Sequence, residues 1–298
     1  FSNNVLNADR YYGLVLGIEK PFNRFSRFEG GARFITISRE RLDTFNNEFV
    51  RGGFVGGTTR GLDGTPIATE RSFISEVALV DDSTMWGLYG PVDGRRARIS
   101  FEGSAAGMKF GTARMDLRKY FRVLQEYTFA LRLAGGTSFG RNKEVFYVGG
   151  VNNPVNPRLS TTSTNVDPNR VGFSSFVWPL RGVELFDLAG DSFVLANVAF
   201  RFPLLHQLAM GWPLPFLFQN VRGELFLDVG SAFNRDGFSP WEYRDGGFEL
   251  RDLKAGYGLG ARVNLGIFLF RYDLAWPTDF AQTFSPLQYF SVDVTGLF

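Results

Sequence analysis

The chain has 298 residues, no cysteine and one histidine, and its 32 basic residues nearly balance its 30 acidic ones. That excludes a disulfide scaffold, a thiolate or histidine-rich metal centre and a polyanion-binding face, so no metal, cofactor or nucleic-acid partner is expected. No run approaches the roughly 20 apolar residues of a transmembrane helix; the longest, around Leu204–Leu205 and Trp212–Phe218, are short and broken by proline.

The 33 Phe and 35 Gly suit curved strands better than helices. Period-two alternation predicts strands at about 11–19, 27–40, 71–82, 95–105, 112–122, 127–138, 192–203, 219–231, 254–265, 267–276 and 287–298. Ala97, Ile99 and Phe101 oppose Arg98, Ser100 and Glu102. Ala113, Met115 and Leu117 oppose Arg114, Asp116 and Arg118. Tyr127, Phe129, Leu131 and Leu133 oppose Thr128 and Arg132, and Val194 to Phe202 oppose Asn197 and Arg201. Tyr257, Leu259, Ala261 and Val263 oppose Arg262 and Asn264, and Phe268 to Trp276 oppose Arg271 and Asp273. Phe290, Val292, Val294 and Phe298 oppose Ser291, Asp293 and Thr295.

A soluble sandwich would turn the apolar face inward, whereas a membrane barrel turns it toward lipid and lines its lumen with the polar one. Alternation alone leaves both open. Connection lengths favour the barrel, in which short periplasmic turns alternate with long extracellular loops. With the C-terminus on the periplasmic side, the loops 41–70, 139–191, 232–253 and 277–286 fall outside, and the turns 20–26, 123–126 and Gly266 fall inside. Two connections fit less well: 106–111 is short for an outer loop and 204–218 long for an inner turn. Trp212, Phe216, Phe218, Trp276 and Phe280 gather near strand ends, where interfacial belts place aromatic rings. The strand count is odd where bacterial barrels are even. The start at Phe1, without an initiator Met, reads as a processed product, so further strands are expected before it.

An ordered set of short motifs resembles the bacterial surface antigen superfamily, which includes the outer-membrane protein insertase and the two-partner secretion transporters. Val148-Gly149-Gly150 and Leu180-Arg181-Gly182 resemble that family's Gly-Gly and Val-Arg-Gly-Phe/Tyr loop. Asn197 and Arg201-Phe202-Pro203-Leu204, Phe226-Leu227-Asp228-Val229-Gly230, Gly256-Tyr257-Gly258-Leu259-Gly260 and Tyr272-Asp273-Leu274-Ala275 are similar to its successive strands, in order over residues 127–298. Pro21 to Glu29 resembles a box of the subgroup in which a Tol-type β-propeller precedes the barrel. The resemblance implies an all-β fold: a transmembrane antiparallel up-and-down β-barrel. Residues 1–298 would form the C-terminal part of a barrel of about 16 strands, with the long loop at about 139–191 folded into the lumen. N-terminal strands and a periplasmic domain would precede residue 1.

In that family the loop arginine pairs with wall carboxylates inside the lumen. Here the resemblance implies a clamp of Arg181 and Gly182 with Asp228, and Glu224 as substitute; both carboxylates share the polar parity of Arg222. Ala199 replaces the family's glutamate on the preceding strand, and Val183 its loop aromatic. Phe290, Val292, Val294 and the terminal Phe298 resemble the C-terminal signal read by the barrel assembly machinery, with Gly296 a departure from it. Arg98, Glu102, Arg114, Asp116, Arg118, Arg132, Arg262 and Asp273 are the other expected lumen charges, their mixed signs suiting a cross-linked wet interior.

No catalytic residue is expected. His206 is the only histidine, Gly-x-Ser-x-Gly is absent, and the Gly256–Gly260 run lacks the strand–helix context of a dinucleotide loop. The expected partners are outer-membrane lipid, the assembly machinery during biogenesis, and periplasmic or surface proteins. Three functions remain open: insertion or translocation of protein or lipid, a membrane anchor or scaffold without translocation, and a passive pore.

Overall fold

Strands with two unlike faces must bury one of them, and the environment decides which. The computed structural model describes residues 6–42, 65–87, 89–157, 177–210, 216–235, 238–244, 247–265 and 267–294. In chain order the strands are β1 (Leu6–Pro21), β2 (Ser26–Leu42), β3 (Thr65–Asp82), β4 (Met85–Gly87), β5 (Gly90–Ala106) and β6 (Phe110–Arg122). They continue as β7 (Thr128–Gly140), β8 (Phe146–Val148), β9 (Leu188–Gly190), β10 (Ser192–Met210) and β11 (Phe216–Phe233). The last are β12 (Trp241–Arg244), β13 (Gly247–Leu250), β14 (Lys254–Asn264), β15 (Phe268–Thr278) and β16 (Leu287–Val294).

One antiparallel sheet runs β1-β2-β3-β5-β6-β7-β10-β11-β14-β15-β16, with β4 attached to β5. Each long strand pairs with the next long strand in sequence, which is the up-and-down meander expected. β8–β9 and β12–β13 are small hairpins within the long connections. All eleven strands expected from the alternation lie in this sheet. Several are longer than the pattern suggests. β10 continues past Pro203 to Met210, through a register shift between Pro203 and Leu205. Proline has no N–H to give the ladder, and an irregularity absorbs that loss. Much of the inner connection expected at 204–218 is therefore strand, β10 reaching Met210 and β11 beginning at Phe216. The outer turn between β5 and β6 is short, at 107–109.

The two faces settle which way the sheet is oriented. Leu79, Ile99, Phe101, Leu133, Leu227 and Leu259 are exposed, Leu259 by 51%. Glu102, Glu224, Asp228, Arg262 and Asp273 are buried, Glu224 to 1% exposure. In water this arrangement is inside out, because burying charge while exposing leucine is unfavourable on both counts. In a bilayer it is the stable one: the apolar rows meet acyl chains, and neighbouring strands satisfy one another's backbone polar groups. The sandwich reading is thereby excluded. Residues 22–25, 123–127, 265 and 267 lie at the short-turn, periplasmic end, and 141–157, 177–191, 234–235, 238–244 and 247–253 at the long-loop end.

A cation in the middle of the lipid-facing band should be costly. Leu259→Lys is expected to lower folding stability by about 2–4 kcal/mol, read from urea titrations of the chain refolded into vesicles.

Candidate functional site

The long connection between β7 and β10 turns back against the inner face of the sheet. Near the outer end that face is apolar. Ala134 on β7, Phe193 and Leu195 on β10 and Ala232 on β11 form a buried cluster with Phe146, Val148, Leu180 and Val183 of the loop. Trp178 stacks on Phe193 with ring centroids 4.4 Å apart. The lumen face is therefore not uniformly polar: it carries a greasy seat, and the loop fills it.

Beyond that seat the loop presents Arg181 to the wall. Glu224, Phe226 and Asp228 alternate along β11, so all three side chains point to the same side. Arg181 Nε donates to Asp228 Oδ2 at 2.6 Å and Nη2 to Asp228 Oδ1 at 3.1 Å. Arg181 Nη1 donates to Glu224 Oε1 at 2.7 Å and lies 3.7 Å from Asp273 Oδ1. The guanidinium carbon sits 3.5 Å from the Phe226 ring centroid. A planar guanidinium thus forks onto one carboxylate, reaches a second and stacks on an aromatic ring, a combination a lysine cannot reproduce.

Gly182 makes that approach geometrically available. Its φ is +91°, and a Cβ there would lie 2.8 Å from the Gly256 Cα on β14. A Cβ on Gly256 would in turn meet the Arg181 carbonyl oxygen at 2.1 Å. Two glycines face each other, and the loop backbone touches the wall backbone. The Gly182 N–H donates to the Tyr289 hydroxyl at 3.1 Å, and that hydroxyl donates to the Val183 carbonyl at 2.9 Å. Tyr289 lies on β16 and was not singled out by sequence. Its inward parity was readable; its partners in a distant loop were not.

Glu224 gathers more charge than Arg181 alone. Arg201 Nε on β10 donates to Glu224 Oε2 at 2.8 Å, and Arg262 on β14 pairs with the same oxygen. Arg201 stands directly opposite Glu224 in the β10–β11 register, and Ala199 stands opposite Phe226. A second network runs across the early strands. Arg98 on β5 bridges Glu29 on β2 and Glu76 on β3, and Arg33 on β2 reaches Glu102 on β5 at 2.7 Å. Arg114 on β6 joins Glu102 at 3.1 Å to the loop residue Glu144 at 2.5 Å. Asp116 lies between Arg118 and Arg132, at 2.7 and 2.8 Å. On β16, Phe290 and Val292 are half-buried on the face opposite Tyr289, Ser291 and Asp293. Val294 is the last described residue, and Phe298 lies outside the described residues.

The Omp85 superfamily domain matches residues 88–293, which contain the loop, Arg181 and every carboxylate around it. No curated protein matches the chain.

Removing Arg181 would leave Glu224 and Asp228 buried with fewer counter-charges. Arg181→Ala is expected to cost about 3–5 kcal/mol and to reduce the folded, heat-modifiable band on electrophoresis; an unchanged band and urea midpoint would exclude an anchoring role. Glu144 should behave differently. Burial raises its carboxyl above the ordinary value although Arg114 opposes the shift. A raised folded-state value gives stability that is complete below the unfolded value and lost as pH rises through the folded one. Glu144→Gln should therefore flatten that part of the stability profile without lowering the midpoint at neutral pH, as followed by urea unfolding at about pH 4 to 8.

Proposed function

The chain belongs to the Omp85 superfamily of outer-membrane β-barrels engaged in protein insertion or translocation, and from that premise we propose that it assists the insertion or translocation of protein or lipid at the bacterial outer membrane. The observation that carries this reading is an interior occupied by the chain's own loop. The inner face is cross-linked by ion pairs and occupied by the loop that Arg181 holds to Asp228 and Glu224. Such an interior supports work at the barrel wall over free diffusion through a wide pore.

The lumen loop then acts as a structural wedge that keeps the wall in shape. Its anchor spans β11, β14 and β16, so the loop ties the last strand to the wall.

The test is reconstitution of the full-length protein into vesicles, followed by addition of an unfolded outer-membrane barrel from denaturant. The expected result is several-fold faster folding of that barrel than in vesicles holding an unrelated outer-membrane barrel. Equal rates would overturn the insertion reading for protein and favour an anchor or scaffold. Large, steady conductance in planar bilayers would instead favour a pore.

A further inference from the structure

The first residues of β5 stand away from the wall. The β5–β6 ladder ends at the pair of Gly94 and Tyr120, and the β3–β5 ladder at the pair of Asp82 and Arg96. Residues 90–93 pair instead with β4, which makes a small hairpin at the periplasmic end. The chain turns at Gly94. Its φ is +96°, and a Cβ there would lie 2.1 Å from the Ser83 carbonyl oxygen, so a side chain would push the hairpin off this path. The base of the hairpin is pinned. The Ser83 N–H donates to the Arg95 carbonyl at 2.8 Å, and the Thr84 N–H to Asp82 Oδ1 at 3.0 Å.

From that base the hairpin leans under the lumen. The Pro91 carbonyl accepts from Arg201 Nη1 at 3.1 Å, and the Tyr89 ring centroid lies 5.7 Å from the Arg222 guanidinium carbon. Arg201 is on β10 and Arg222 on β11, three and four strands along the sheet from β5. At the usual strand spacing those steps are roughly 14 and 19 Å. A turn that stayed beneath its own strands would reach neither arginine. Arg222 Nη1 also donates to the Glu126 carbonyl in the β6–β7 turn, which ties the hairpin's far side to the rim. Thr128 agrees with this arrangement. It begins β7 and stands opposite Arg201 in the β7–β10 register, yet it is buried where an open mouth would leave it in water.

Arg201 serves two ends. Its Nη1 holds Pro91, and its Nε donates to Glu224 Oε2 at 2.8 Å. Glu224 Oε1 in turn accepts from Arg181 of the loop at 2.7 Å. Hairpin, Arg201, Glu224 and loop therefore form one unbroken series of hydrogen bonds. A guanidinium held on two sides keeps a fixed orientation, and release from Pro91 weakens its hold on Glu224. A coupling free energy between two sites is reciprocal, so release of the loop also loosens the hairpin.

We propose that the hairpin of β4 and residues 90–93 is an inner gate of the lumen, and that Arg201 couples its closure to the seating of the loop by Arg181. The loop fills the lumen from the outer side, the hairpin covers it from the periplasmic side, and Glu224 stands between them. The gate does not rest on the insertion reading; an anchor or a pore would carry it equally.

The chain has no cysteine, so a single introduced thiol reports without background. In the full-length protein in detergent, Thr128→Cys reports the inner mouth and Val148→Cys the loop seat, each through its rate of reaction with a charged maleimide. Two hairpin variants open the gate by different means: Tyr89→Ala removes the ring beside Arg222, and Gly94→Val displaces the turn. Each should speed labelling at position 128 several-fold and labelling at 148 by a smaller factor. Arg181→Lys should reverse that order. Arg201→Lys keeps a cation for Glu224 but loses the forked reach to Pro91, and in that background Gly94→Val should no longer change labelling at 148. Position 128 indifferent to both hairpin variants would overturn the gate. Labelling that rises at 128 and stays fixed at 148 with Arg201 intact would overturn the coupling, as would a response at 148 that survives Arg201→Lys.

Discussion

A carboxylate taken out of water must be met by cations, and Glu224 is met by three. Arg181 comes from the loop, Arg201 from β10 and Arg262 from β14, all converging on one side chain of β11. Breaking one member of such a group costs more than the pair gained on forming, because the remaining charges stay buried. The wall and the loop are thus mutually dependent. Without the loop, Asp228 and Glu224 lack the guanidinium that forks between them; without the wall charges, Arg181 has no reason to leave water. The greasy seat under Trp178 and Leu180 supplies the non-directional part of the docking, and the ion pairs fix its register.

Much of the fold was legible because a membrane barrel repeats one rule. Rows such as Tyr257, Leu259 and Ala261 alternate with charged or small residues, and that period marks each long strand. Strand ends were less legible. Proline at 203 reads locally as a stop, yet β10 passes it, since the loss of one N–H is absorbed by a register shift that tertiary pairing imposes. The face of Glu224 and Asp228 is likewise written in the alternation with Arg222. Their meeting with Arg181 is not, because it depends on where a long loop folds; only the likeness of Leu180-Arg181-Gly182 to a known loop pointed there. Tyr289, Glu144 and the contacts of Asn153 and Asn156 had no such pointer. Each is an ordinary residue type at a position that becomes special only once strands separated by many residues are brought side by side.

The inner face is graded from end to end. At the outer end it offers Phe193, Leu195 and Ala134, and toward the middle Glu224, Arg262 and Asp273. A uniformly polar wall would leave a loop no apolar surface to bury and would favour its hydration above the barrel. A uniformly apolar wall would make the interior indistinguishable from the lipid side and remove the preference that orients every strand. The gradient resolves both demands: the loop is drawn in by the upper part and stopped by the lower.

The loop's contacts also form a hierarchy. Arg181 is buried, forked and stacked on Phe226, with charge-assisted bonds at 2.6 and 2.7 Å. The contacts of Asn153 and Asn156 with β16 are neutral or half-exposed, and a hydrogen bond of that kind contributes about 1 kcal/mol net. Thermal openings are drawn from the weakly held end of such a range. The contacts of Asn153 and Asn156 therefore yield before the anchor does. A structure in which the order were reversed would release the loop from the wall first, and the lumen would lose its filling.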